Sequence, residues 1–129
     1  MAGQGVIEEK LKSVSGVRSP TMAWGRYPVV DSVLQRPEKL SALHRAVQDG
    51  AIPSLLVRGA GRSYGDAPLN ADGVTLLSER LNRFLAFDEK TGILRCEAGV
   101  TLAEILDIFV PRGWFPAVTP GTKFITVGV

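Results

Sequence analysis

Apolar residues in this chain fall into short runs, and the spacing within those runs changes from segment to segment. Val29, Val30, Val33 and Leu34 form a β-branched-rich stretch that predicts a strand. Leu40, Leu43 and Val47 then recur at helical spacing, with Ala42 and Ala46 beside them. Pro37 suits the first position of that helix, Glu38 its first turn, and Gly50 its stop. Leu55-Leu56-Val57 is a continuous apolar run too short for a helix, which predicts a strand buried on both faces. Strand, helix and strand over this length predict a right-handed βαβ unit. Further strands are predicted at Val74–Leu77, Phe84–Phe87 and Ile93–Glu97, divided by turn residues such as Lys90-Thr91-Gly92. Thr101 and Glu104 form a capping box that opens a second helix carrying Leu102, Ile105, Leu106 and Phe109, and Pro111 ends it.

The flanks are less patterned. Met1 to Pro20 mixes Gly, Ser and both signs of charge, and reads as a frayed tail or a short surface helix around Ile7 to Val14. The expected organisation is a flexible tail over residues 1–21 and one α+β domain over residues 22–129. The stretch from Pro116 to Val129 is rich in Pro, Gly and Thr and reads as loop.

Composition narrows the function classes. The chain has 129 residues, 45% of them hydrophobic and 22% charged, which fits an ordinary globular domain. Its net charge of +2 is too small to predict a nucleic-acid surface. One cysteine (Cys96) and one histidine (His44) leave no disulfide framework and no ordinary zinc site, so no metal is expected. No run approaches the roughly 20 apolar residues of a membrane span. The N-terminus lacks the pattern of a signal peptide, and a reducing cytoplasmic setting is the default expectation.

The densest glycine run, Arg58-Gly59-Ala60-Gly61-Arg62-Ser63-Tyr64-Gly65-Asp66, follows directly on the second predicted strand. Glycines let backbone N–H groups converge on an anion, and Arg58 and Arg62 bias the local potential positive. The alternative is a tight surface turn with solvated arginines. The dinucleotide fingerprint fails, because Tyr64 stands where the third glycine belongs and Pro68, Asn70 and Gly73 make no helix. Gly61-Arg62-Ser63-Tyr64-Gly65 also fits the nucleophile elbow of serine hydrolases, but His44 lies upstream and no histidine follows. No catalytic residue is assigned within the chain.

Four blocks occur in order: Trp24-Gly25-Arg26-Tyr27-Pro28, the glycine run, Glu97-Ala98-Gly99-Val100, and Pro120-Gly121-Thr122 with Thr126-Val127-Gly128. Together they resemble the N-terminal part of the FAD-linked oxidases of the vanillyl-alcohol oxidase / p-cresol methylhydroxylase superfamily, over about Met22 to Gly128. The resemblance implies the first lobe of a PCMH-type FAD-binding domain, a small βαβ sheet with flanking helices and additional strands. It implies that Arg58, Gly59, Ala60, Gly61, Arg62, Ser63, Tyr64 and Gly65 wrap the FAD pyrophosphate, chiefly through the N–H groups of Gly59 to Ser63. Ser63 becomes a hydroxyl donor to phosphate, and Tyr64 either an active-site wall or an aromatic packing the turn. A second contact with FAD is implied at Gly121, Thr122, Thr126, Val127 and Gly128.

Many members tether the flavin through a histidine in this loop. Arg62 stands at that place, which implies noncovalent FAD. The family continues with a second glycine where Val129 stands, and its substrate-binding part lies further on. The implied protein is therefore an oxidase acting on a CH–OH group of a sugar or polyol, with this chain a truncated first part, inactive alone. A second polypeptide supplying the remainder, or a non-enzymatic flavin-binding or interaction module completed in that way, is the alternative. His44, Cys96, Trp24 and Trp114 are expected in structural roles, and Asp66 as a turn residue.

Overall fold

The computed structural model describes residues 2–128, with side chains from residue 5 onward. Its elements in chain order are α1 (Ala2–Lys12), β1 (Val17–Met22), β2 (Val29–Gln35), α2 (Leu40–Gln48), β3 (Leu55–Arg58), β4 (Val74–Leu77), β5 (Phe84–Asp88), β6 (Ile93–Cys96) and α3 (Leu102–Phe109). Single 3₁₀ turns follow β4 at Ser78–Arg80 and α3 at Val110–Arg112.

The four-stranded sheet runs β1-β2-β4-β3. β4 lies parallel to both of its neighbours, with Leu55↔Val74 on one side and Val33↔Val74 on the other. Every residue of β4 is buried, as a central strand with two covered faces requires. β3, expected to be buried on both faces, is instead the edge, with Val57 39% exposed. Leu-Leu-Val and Val-Thr-Leu-Leu look alike as local patterns, and only the insertion of β4 between β2 and β3 decides which is central. The predicted βαβ unit is thus a split one.

The segment expected as a tail carries structure. Val17–Met22 pairs antiparallel with β2, from Val17↔Leu34 to Met22↔Val29. Pro20 weakens its strand signal, yet β1 is an edge, where a missing N–H costs no ladder bond. Leu11 of α1 is buried against Val33 and Val74, with Val14, Ile52 and Leu55 packed around them. That contact holds the preceding helix against the sheet.

α2 starts at Leu40 rather than Pro37. Lys39 offers no side-chain cap, and Glu38 pairs with Arg80 instead of serving the first turn. α3 opens as predicted: Thr101 Oγ1 accepts from the Glu104 N–H at 3.2 Å, and the Glu104 carboxylate accepts from the Thr101 N–H at 2.8 Å. Pro111 falls inside the 3₁₀ turn that finishes it, closed by Gly113 at φ +84°.

β5 and β6 form a separate antiparallel pair. α3 covers it through an aromatic cluster, with ring centroids of Phe87 and Phe109 4.6 Å apart and those of Phe87 and Trp114 5.2 Å apart. The junction between pair and sheet is backbone against backbone. The Gly99 N–H donates to the Leu81 carbonyl at 2.8 Å, and a Cβ on Gly99 would fall 2.0 Å from the Ser78 carbonyl oxygen. Val100, beside it, is wholly buried. No helix among the described residues is long and apolar enough to cross a membrane.

Candidate functional site

The glycine run leaves the end of β3 and turns back without forming a helix, so the nucleophile-elbow geometry is absent. Gly61 and Gly65 take φ of +67° and +62°, a region that side chains with a Cβ rarely adopt. Among the described residues, no N–H from Ala60 to Gly65 donates a hydrogen bond within the chain. A run of consecutive amides without internal acceptors is the donor set an anion needs.

Arg58 holds this turn in shape. Its guanidinium donates to the Met22 carbonyl at 2.7 Å and to the Pro68 carbonyl at 3.1 Å, bridging the two ends of the surrounding backbone. Partial burial pulls its pKa down, opposed by the charge of Glu79. A Cβ on Gly61 would meet the Arg58 guanidinium at 2.1 Å. Gly61 therefore makes room for an internal brace, the Arg58 guanidinium. Gly59 and Gly61 are both buried in the turn.

The two arginines divide their work. Arg62 is exposed, and its guanidinium carbon lies 5.2 Å from the centroid of the Trp24 ring. The Trp24 N–H donates to the Ser63 carbonyl at 3.3 Å. Trp24 was expected to be a packing residue, but it is 55% exposed and stands beside the loop as a platform for Arg62. The signal available in the sequence was its setting, Trp24-Gly25-Arg26-Tyr27-Pro28, where Gly25 and Pro28 break both strand and helix patterns around the ring. Tyr64 is 82% exposed, which removes the reading that it packs the turn.

The second predicted stretch has a different character. The N–H groups of Val127 and Gly128 donate to the carbonyls of Val100 and Ala98 at 2.8 and 2.9 Å, and Thr126 is buried in a bridge to Thr101. A Cβ on Gly128 would lie 2.6 Å from the Ala98 Cβ. These backbone donors are spent on seating residues 125–128 along the start of α3. Gly121 and Thr122 remain exposed, with Thr122 Oγ1 accepting from the Phe124 N–H at 3.2 Å.

Both stretches abut the same turn after β4. Ser78 Oγ donates to the Arg58 carbonyl at 3.3 Å, and the Ser78 carbonyl presses on Gly99, adjacent to the Ala98 that seats Gly128. The Glu97-Ala98-Gly99-Val100 block is part of this support. Glu97 is buried, and its carboxylate accepts from the Arg83 N–H at 2.8 Å.

His44 is exposed on α2, away from this region. Cys96 lines an apolar cavity of about 270 Å³ together with Phe87, Phe109 and Trp114. Burial pushes its thiol pKa up, away from reactivity. The Asp66 carbonyl accepts from the Leu69 N–H at 2.9 Å, an ordinary turn contact.

Comparison with known proteins places the domain in a family. Residues 33–128 match the family described as FAD binding domain. Over 111 residues the chain is 39% identical to decaprenylphosphoryl-β-D-ribose oxidase of Mycolicibacterium smegmatis, covering 83% of this chain and 24% of that protein. Its fold is similar to that of cholesterol oxidase from Brevibacterium sterolicum, with a TM-score of 0.73 at 13% identity over 91% of this chain and 24% of the oxidase. A mutant of the same enzyme gives 0.71. The chain spans about a quarter of the length of each of these relatives. The chain belongs to the FAD binding domain family.

Proposed function

We propose that the Arg58–Gly65 turn binds the pyrophosphate of FAD, and that the complete protein is an oxidase acting on a CH–OH group of a sugar or polyol. The observation that carries the first part is the run of unengaged amides from Ala60 to Gly65 on a turn braced by Arg58. A pyrophosphate is recognised by converging backbone donors, and a braced turn presents them at little ordering cost. Arg62 adds a fork of charged donors. The substrate class rests on the identity shared with decaprenylphosphoryl-β-D-ribose oxidase.

FAD, when bound, supplies the hydride chemistry through its isoalloxazine ring, and the chain supplies binding and orientation. Gly121 and Thr122, exposed after the seated segment, are the further contacts we assign to FAD. Thr126, Val127 and Gly128 act by fixing that segment in place. The flavin is held noncovalently at this loop, because the arginine at position 62 stays protonated and offers no lone pair to the flavin methyl group. Turnover requires the remaining three quarters of the relatives' length, on the same chain or on a second polypeptide.

Gly61→Val tests the loop assignment. Valine places side-chain atoms where the Arg58 guanidinium sits and strains a backbone at φ +67°. The expected result is at least tenfold weaker FAD binding with the β-sheet circular dichroism retained. Unchanged FAD affinity would remove the assignment.

A further inference from the structure

We propose that Trp24 is a positioning residue for the phosphate site: it holds Arg62 so that the plane of the guanidinium is fixed while its N–H edge stays open to an oxyanion. The proposal rests on the reading of the Arg58–Gly65 turn as the pyrophosphate site, and adds to it a residue from outside the turn.

Three contacts join the Met22–Trp24 segment to the loop. Arg58 donates to the Met22 carbonyl, the Trp24 N–H donates to the Ser63 carbonyl, and the Trp24 ring lies under Arg62. Ala23, between them, is buried, and its carbonyl accepts from the Arg26 N–H at 3.0 Å, closing a turn that fixes where the indole sits. The segment is therefore locked at the backbone, and its indole is left on the surface.

An exposed indole that covers no core has to be accounted for by what it touches, and what it touches is Arg62. Among the described residues Arg62 has no ion pair or hydrogen bond of its own. Stacking on a ring face is the one contact that fixes a guanidinium without using any of its five N–H donors. A carboxylate partner would orient the side chain equally well but would neutralise it and occupy the fork. The arrangement keeps a charged, planar donor beside free amides, which suits a phosphate.

The test is a double-mutant cycle on FAD binding by the 129-residue chain, read by flavin fluorescence anisotropy. Arg62→Met should weaken binding about tenfold or more, the loss of a charge-assisted contact. Trp24→Leu should weaken it about threefold, the scale of one exposed cation–π contact. The double variant should bind no more weakly than Arg62→Met alone, because Trp24 acts through Arg62. Trp24→Tyr and Trp24→Phe should retain part of the affinity, in the order of ring strength Trp, Tyr, Phe. This ordered series also decides the matter if Trp24→Leu does not fold. Losses that multiply in the double variant, or a Trp24 series with flat affinity, would overturn the proposal while leaving the loop site standing. No loss on Arg62→Met together with none on Gly61→Val would instead remove the loop site itself.

Discussion

At the residue scale, three glycines that look equivalent in the sequence have three different physical reasons to be glycine. Gly61 needs both a left-handed backbone and space for the Arg58 guanidinium. Gly99 has no positive φ, but its Cα lies against the carbonyls of Ser78 and Leu81, which are backbone atoms and cannot move aside. Gly121 has no atom within 4 Å of where a Cβ would go. Gly99→Ala is therefore expected to destabilise the fold by about 1–3 kcal/mol or more, the cost of overpacking a rigid contact. Gly121→Ala should stay within about 0.5 kcal/mol of the parent. Urea denaturation of the two variants checks the contrast, and equal midpoints would contradict it. Glycine density in the sequence drew attention to the loop that leaves β3. It did not show that an arginine from the same run fills the space the glycine leaves, because that requires the fold of the loop back over β3. Trp24 was misjudged for a related reason: exposure is set by what the rest of the chain leaves uncovered, and no local pattern encodes it.

At the scale of elements, features that depend on neighbours in sequence were legible and features that depend on distant partners were not. The capping box of α3 and the β5–β6 turn are local chemistry. In that turn the Asp88 carboxylate accepts from the Lys90 N–H at 2.9 Å and from the Thr91 hydroxyl at 2.9 Å. The Lys90 backbone contact, followed by the Thr91 hydroxyl, lowers the Asp88 pKa. A carboxyl whose pKa is lower in the folded state stabilises the fold above its unfolded value. That contribution is lost as the pH falls through the folded value. The turn should loosen in acid, below the ordinary carboxylate range, and Asp88→Asn should remove most of that dependence. Hydrogen exchange at the Lys90 amide measured against pH reads this directly. Protection that is flat down to strongly acidic pH would contradict it. β1 shows the opposite case. Its pattern, Val-Arg-Ser-Pro-Thr-Met, alternates poorly and contains a proline, and only the pairing with β2 makes it a strand.

On the scale of the whole molecule, the order β1-β2-β4-β3 places β3 at an edge, and the glycine turn leaves from the end of that edge strand. A turn leaving a central strand would be crowded by its neighbours, whereas an edge leaves room for a ligand to approach backbone amides. The β5–β6 pair and α3 then back the same region through Ser78, Leu81 and Gly99. The α+β class and most element positions could be read from periodicity. The strand order could not, because β3 and β4 carry interchangeable apolar patterns. The family resemblance carried what periodicity lacked, and its four blocks prove to be one loop, the Trp24 platform and two supporting segments that meet at the turn after β4.

The central claim is that the amides between Ala60 and Gly65 receive the phosphate groups of FAD. Titrating the ¹⁵N-labelled 129-residue chain with ADP, which carries the pyrophosphate without the flavin, tests it most directly. The account predicts the largest amide shifts at Ala60 to Gly65. The amides of Val127 and Gly128, already committed to the carbonyls of Val100 and Ala98, should move less. Amides of residues 60–65 that stay in place while others shift, or a spectrum unmoved by both ADP and FAD, would contradict it.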